Sequence, residues 1–595
     1  MSLQFITGNS GNGKTKYLFN RIVKEAKANP RDNYLVIVPE QFTMQTQRQL
    51  VDLSENKAIM NIDVLSFKRL AYRVFDELGI TNLTVLEETG KNLVLRKLAA
   101  QEADKLGVIG RNLNRIGYIS EVKSLLSELV QYNISPEELG RYIASGRLSD
   151  TLSDKLKDVL VLYEAFEKFM QDKYITAEEI LNVLSNVAEE SAILRNSVIA
   201  FDEFTGFTPI QNQLIKKLFV ISKKIYVTLT IDCREDIFKS RGMQELFDMP
   251  KRTVKSLTEM AAFYGIEVEE PIILDKNYRL AENEELSFME QQLFRKRRCS
   301  FKKAPKHIHI DCLRDPKQEL TKIARRINEL VRNENLRYRD IAIVTGDVNI
   351  YAGYVREIFD KYNIPYFIDA TQEILFHPFI EFIRSIPDIA AQNFSADAVF
   401  RFLRCGFSEL LDSEIDVLEN YVLACGVRGK SAWDKKWVRL PKHKAGYDLE
   451  LLNQSREYIM ELLKPVYQVF SDKKSTVKDY VLAIYKLIVL LDIPDKLAKK
   501  EQALLDAGDQ TASKEYGQIY KIVMQLFEKY VAVLGDECMD AEEFTQILDA
   551  GLDAADVAVI PPGYDTVTIG DIERTRLTNI KVMFFAGVND GIVPK

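Results

Sequence analysis

The residues best suited to chemistry stand together near the amino end, as Gly8-Asn9-Ser10-Gly11-Asn12-Gly13-Lys14-Thr15. The apolar run Leu3-Gln4-Phe5-Ile6-Thr7 leads into them, and a helical pattern follows from Lys16. This is G-x-x-x-x-G-K-[ST] in a strand–loop–helix setting, a form suited to holding phosphates. Glycines let successive backbone N–H groups turn inward on an anion, and the new helix presents its positive end to the same charge. Gly8 to Thr15 are therefore the expected nucleotide contacts. Lys14 is expected to reach the β- and γ-phosphates, and the Thr15 hydroxyl to sit on Mg²⁺. A bland glycine turn before a surface helix accounts for the glycines but not for the flanks.

A phosphate loop needs an acidic partner. Ile199-Ala200-Phe201-Asp202-Glu203 reads as a buried strand ending in two carboxylates. Asp202 is expected to hold Mg²⁺, directly or through water. Glu203 is placed to polarise an attacking water as a general base. An apolar run ending in two acids is common at surface strand ends; its position on a chain that also carries Gly8–Thr15 favours the functional reading.

The 595 residues predict roughly three or four domains. Hydrophobic content of 46% and charged content of 28% describe an ordinary globular protein. No apolar run approaches the roughly 18 residues of a membrane span, and no basic stretch followed by an apolar core marks a signal peptide, so a cytoplasmic location is expected. Cys233, Cys299, Cys312, Cys405, Cys425 and Cys538 form no C-x-x-C pair, which supports neither zinc nor an iron–sulfur cluster. Each is expected to be a reduced, buried small hydrophobe. Of the four histidines, His307 and His309 share one face of an expected strand and read as structural.

The net charge of −7 does not advertise a nucleic-acid binder, but binding needs only a local basic channel. Arg295-Lys296-Arg297-Arg298, continuing to Lys302, Lys303 and Lys306, is one cluster. Lys435-Lys436-Trp437-Val438-Arg439, continuing to Lys442, His443 and Lys444, is another. The second mixes cations with an aromatic, which suits stacking on a base beside phosphate contacts. The competing reading for both is a solvated basic loop.

These residues need a scaffold, and the apolar pattern predicts one. Strand runs at 34–38, 62–67, 197–203 and 224–230 alternate with helices, and with 3–7 they make one parallel α/β core over 1–85 and 192–281. Residues 86–191 carry apolar positions at helical spacing and read as a helical insertion. A second, incomplete α/β core is expected over 282–376 and 559–595, with strands at 307–313, 340–344, 364–368, 566–569 and 581–586. Its helical insertion spans 377–558. A sheet that has just resumed seldom stops at Val593-Pro594-Lys595, so a truncated protein is expected.

Several stretches resemble known families. Glu203-Phe204-Thr205-Gly206-Phe207-Thr208-Pro209-Ile210-Gln211 resembles the acidic-motif region of superfamily 1 helicases of the UvrD and PcrA type. Asn277-Tyr278-Arg279-Leu280 resembles their N-Y-R motif, whose Arg reaches the γ-phosphate, a use suited to a planar permanent cation. A closer match is to the AddB (RexB-like) subunit of AddAB helicase–nucleases. It is carried by Gly8–Thr15, Val38-Pro39-Glu40-Gln41-Phe42, Val64-Leu65-Ser66-Phe67, the 201–211 stretch, Leu286-Ser287-Phe288-Met289-Glu290 with Leu293-Phe294, and 570–594. The resemblance implies two RecA-like P-loop cores with parallel sheets, each interrupted by a large helical insertion. It also implies ATP and Mg²⁺ as cofactors, with Lys14, Glu203 and Arg279 in catalytic roles and Thr15 and Asp202 at the metal. Partners would be an AddA-type motor/nuclease subunit, single-stranded DNA and double-strand ends. A C-terminal nuclease domain with a [4Fe-4S] cluster is implied only beyond these residues.

Departures from the motor pattern bear on mechanism. Only seven residues precede Gly8 here, so the adenine contact of a Gln segment is expected to be missing or made otherwise. Thr228-Leu229-Thr230-Ile231-Asp232 lacks the G-D-x-x-Q signature, and Gly570-Asp571-Ile572-Glu573-Arg574-Thr575-Arg576-Leu577 replaces T-x-H-x-x-K-G-L-E. The resemblance implies one half of an ATP-dependent helicase/nuclease that processes double-strand breaks for recombinational repair, and the departures favour a DNA-scanning channel that binds ATP and single-stranded DNA over the main motor. The alternatives are an active superfamily 1 motor, an unrelated P-loop small-molecule kinase, and a DNA-binding scaffold that never takes nucleotide.

Overall fold

The computed structural model describes every residue except 56, 81–84, 87, 109–117, 146–147, 172–173, 296–298, 370–371, 375, 442–446, 473, 554–555, 558–564, 574, 576, 578–579 and 594–595. It is an α/β structure with parallel sheets and many helices, in two compact units. The first unit comprises Met1–Leu86 and Ser124–Cys312, the second Glu87–Lys123 and Leu313–Lys595.

The first unit is built on β1 (Ser2–Gly8), β2 (Tyr34–Ile37), β3 (Ile62–Leu65), β6 (Val198–Phe201), β7 (Lys224–Thr230), β8 (Glu267–Val268) and β9 (Ile272–Leu274). They run β3-β2-β6-β7-β1, with β8 and β9 both beside β1, and every pairing is parallel. Successive residues feed opposite faces, as the pleat requires. Leu3, Phe5, Leu35, Ile37, Ile199, Phe201 and Val227 enter one apolar layer. Ile6, Tyr34, Val36, Val198, Ala200 and Tyr226 enter the other. Helices Phe67–Leu78, Ile180–Val187, Pro209–Ile221 and Asp248–Phe263 cover the first face, and helix Lys14–Ala28 covers the second. Burial on both faces is why these strands read as nearly continuous apolar runs. A short parallel pair, β4 (Val85–Leu86) with β5 (Ile175–Thr176), interrupts the otherwise helical 86–191 stretch.

In the second unit, β10 (Ile341–Thr345), β11 (Tyr366–Ile368), β14 (Val567–Asp571) and β15 (Val582–Ala586) form a parallel sheet ordered β11-β14-β10-β15. Helices Pro316–Asn333 and Val348–Lys361 pack on it through Leu320, Ile327, Val355 and Phe359. β12 (Gln372–Glu373) and β13 (Asp556–Val557) pair antiparallel, and helices from Pro378–Ala391 to Ala541–Asp553 lie between them in sequence. Those helices share a large aromatic-rich core that includes Phe379, Phe382, Tyr421, Tyr480 and Tyr530. Helix Glu88–Gln101 joins it: Leu93 is fully buried there, and Lys97 pairs with Glu537 at 2.6 Å. Among the described residues no helix is long and apolar enough to cross a membrane.

Three expectations are corrected. Residues 307–313 form no strand. Their alternation suits a sheet edge, but the N–H groups of Lys306 and His307 go to the Glu285 carboxylate instead, and Ile310 stands exposed. The cysteines are not buried: Cys299, Cys312 and Cys538 are exposed and Cys233, Cys405 and Cys425 half-buried, all free thiols. They lie in loops or near helix ends rather than along the apolar stripes. Trp437 is no stacking platform. It is buried against Trp433 and Tyr421, its indole N–H donates to the Ala432 carbonyl at 3.0 Å, and Asn453 both accepts from and donates to its backbone. An indole whose single donor is satisfied inside a core gains from burial. Lys296–Arg298 of the first basic cluster and Lys442–Lys444 of the second lie outside the described residues.

Candidate functional site

The site is assembled wholly within the first unit, at the carboxyl edge of its sheet. β1 ends at Gly8, where a Cβ would stand 2.6 Å from the Leu274 carbonyl of β9, so no larger residue fits. The loop then turns through Gly11 at φ +86° and Gly13 at φ +78°, left-handed conformations that glycine adopts without strain. Helix Lys14–Ala28 starts from Gly13 with no side-chain cap, which leaves its first N–H groups free to meet an anion.

Lys14 Nζ donates to the Gly8 and Asn9 carbonyls, each at 3.0 Å, folding the ammonium over the loop. Burial pushes this ammonium below its usual range, while the Glu203 and Asp202 carboxylates pull the other way. Asp202 follows β6 directly. It is buried, its N–H donates to the Ile37 carbonyl, and its Oδ1 accepts from Thr228 Oγ1 at 2.5 Å. Thr15 Oγ1 lies 3.3 Å from the same Oδ1 and 3.4 Å from Glu203 Oε1. β7 lies between β1 and β6, so the first turn of the helix reaches across one strand to the acids. Glu203 is exposed at φ +66°, a conformation that costs a residue with a side chain about 1–2 kcal/mol.

Asn277, Tyr278 and Arg279 lie on the loop. Asn277 Nδ2 donates to the Ser10 carbonyl at 3.0 Å, and the Tyr278 N–H donates to the Gly11 carbonyl at 3.0 Å. Arg279 Nη1 stands 3.5 Å from Ser10 Oγ. A Cβ at Gly11 would meet Asn277 Oδ1 at 2.8 Å and Arg279 Cβ at 2.9 Å, so this packing requires the glycine. Gln211 serves the fold, forming with Thr208 a capping box at helix Pro209–Ile221. Asp232, two residues past the end of β7, is ion-paired with Arg234 and Arg295. Burial would raise its carboxyl, but hydrogen bonds from the Arg234 side chain and N–H, with the charges of Arg234 and Arg295, more than offset this and hold it below the usual range.

Sequence reasoning missed Thr228 as the donor to Asp202. The signal was a threonine inside a buried apolar run, since a buried hydroxyl needs a partner. It also missed the tie of Asn9 to Glu290, 281 residues apart in sequence, which no local pattern announces.

Residues 5–290, which hold Gly8–Thr15, Asp202, Glu203 and Arg279, match the family model described as ADDB, N-terminal. Over those residues the chain is similar to the AddB N-terminal family. Proteins named as the B subunit of an ATP-dependent helicase/deoxyribonuclease align with the full chain. The one from Lachnoclostridium phytofermentans is 40% identical over 605 positions, covering 100% of this chain and 52% of that protein. Those from Clostridium novyi and Clostridioides difficile are 32% and 31% identical, with the same coverage. The chain thus spans about half the length of these AddB-type relatives, at 52% of each.

Proposed function

We propose that the first unit binds ATP with Mg²⁺, the phosphates lying on Gly8–Thr15. The residues present suit that ligand: a glycine-lined cradle, a lysine, and a hydroxyl and carboxylate converging from different elements. The observation that carries the reading is the approach of Thr15 to Asp202. Thr15 and Asp202 would hold the ion, which neutralises phosphate charge when bound. Lys14 would leave the Gly8 and Asn9 carbonyls for the phosphates, and Arg279 beside Ser10 would supply a second cation.

The wider role follows from the relatives' names. This chain acts as the ATP-binding part of the AddB-type half of a heterodimeric helicase/nuclease, with an AddA-type partner, working on broken DNA ends in the cytoplasm. Each α/β unit is a RecA-like core of the UvrD-like type, and the chain holds single-stranded DNA for scanning rather than driving the motor. A turnover-competent motor is the second reading, favoured by the exposed Glu203 carboxylate next to Thr15.

The test is titration of the full chain with a fluorescent ATP analogue and Mg²⁺. Saturable binding that Lys14→Ala abolishes supports the reading. Binding that survives the substitution undiminished contradicts it.

A further inference from the structure

The stretch 286–290 is not explained by phosphate binding alone, yet it closes on the loop. We propose that Glu290 is a positioning residue for the phosphate loop, and that helix Glu284–Gln292 links nucleotide occupancy to the backbone at Lys306 and His307. The inference rests on the ATP-binding reading above.

Asn9 is the hub. Its side chain is buried, with Nδ2 donating to Glu290 Oε1 at 2.7 Å and Oδ1 accepting from the Cys233 N–H at 3.2 Å. Its carbonyl accepts from the Asn12 N–H at 3.2 Å and from Lys14 Nζ at 3.0 Å. Phosphates compete for that ammonium, so occupancy removes a charge-assisted bond from the same residue that Glu290 holds.

The contacts form a closed ring. From Asn9 they pass to Glu290 and the neighbouring Gln291, whose carbonyl accepts from Arg234 Nη2 at 3.1 Å. Arg234 adjoins Cys233, whose N–H returns to Asn9. Arg295 fastens the segment just after the helix to Asp232 at 2.8 Å. The helix is therefore docked on the outgoing turn of β7 at the point where it grips the loop.

Its other end holds a second segment. Glu285 is buried, and its two carboxylate oxygens accept the N–H groups of Lys306 and His307, each at 2.8 Å. Those donors, His307 foremost, keep the carboxyl below its usual range. Glu285 and Glu290 are five residues apart, about 7.5 Å along a helix axis. One short rigid element thus carries a grip on the loop at one end and a grip on residues 306–307 at the other.

The experiment pairs Mg·ATP titration with amide hydrogen exchange at Lys306 and His307, using the full chain. In the unaltered chain, saturating Mg·ATP should slow exchange at those amides by about fivefold. Glu290→Ala should weaken ATP binding about tenfold. At saturation it should also erase the exchange response, whereas Glu290→Gln, which keeps an acceptor oxygen, should restore both. Because coupling between sites is reciprocal, Glu285→Gln, which loses one of the two acceptor oxygens, should weaken ATP binding, by at most the factor that ATP slows exchange. Normal ATP binding with unchanged exchange at 306 and 307 overturns the link while leaving the nucleotide site intact. Absence of ATP binding by the unaltered chain overturns both.

Discussion

Thr15 Oγ1 and Asp202 Oδ1 stand 3.3 Å apart although 187 residues separate them in sequence. One opens a helix and the other closes a strand, and the parallel sheet brings the two ends to a common edge. That edge is where open α/β sheets leave a crevice for ligands. Thr228, on the strand between, fixes the acid by donating to the same oxygen.

Thr228→Val removes that buried donor while keeping its shape. Urea unfolding should show a loss of about 1–3 kcal/mol, because the Asp202 carboxylate loses a bond it cannot replace from water. The Mg²⁺ concentration needed for half-maximal ATP binding should shift as well. Unchanged stability together with unchanged Mg²⁺ dependence would deny Thr228 this role.

Glu203 stands at φ +66° beside the loop. Glu203→Gly should stabilise the chain relative to Glu203→Ala by about 1 kcal/mol in denaturant titration, since glycine carries no penalty in the left-handed region. Both variants should bind Mg·ATP, and both should lose any ATP hydrolysis the unaltered chain shows. Equal stabilities for the two would mean that residue 203 carries no backbone strain.

Trp437→Ala should destabilise the second unit by about 3–5 kcal/mol, as expected for emptying a packed aromatic site. At temperatures where the variant stays folded, its affinity for single-stranded DNA should equal that of the unaltered chain. A fully folded variant with lost DNA affinity would restore the stacking role that the packing denies.

His377 is buried at the start of helix Pro378–Ala391, its Nδ1 accepting the Phe379 N–H at 3.1 Å. Burial lowers its pKa to about 4, below the ordinary histidine value of about 6.5. Between those values the unfolded chain binds the proton more readily, so stability rises with pH there. The contribution is full above about pH 6.5 and is lost as pH falls toward 4, on the order of 3 kcal/mol at most. His377→Asn keeps a capping acceptor and should flatten this part of the stability–pH curve. An unaltered slope would place the acid sensitivity elsewhere.

Much of the scaffold was legible because strands buried on both faces write themselves as apolar runs: β1, β2, β6, β7 and β10 all lie within such runs. The stretch 307–313 misled because alternation marks only a capacity for pairing, and Glu285 captured backbone donors at its start. Trp437 misled because cations flanking an aromatic say nothing of its depth, which Asn453 settles from sixteen residues away. At the site, Gly8–Thr15 announced themselves through residue type and spacing. The supports did not: Thr228 hides in an apolar strand, and Glu290 meets Asn9 only through the fold.

If the loop at Gly8–Thr15 and the acid at Asp202 form one metal–nucleotide site, both must shape the same bound ion. Electron paramagnetic resonance of Mn·ATP bound to the full chain reads this out, with Mn²⁺ standing in for Mg²⁺. One bound Mn·ATP is expected, its signal lost in Thr15→Ala and strongly weakened in Asp202→Ala. A signal of unchanged intensity and shape in both variants would contradict a shared site.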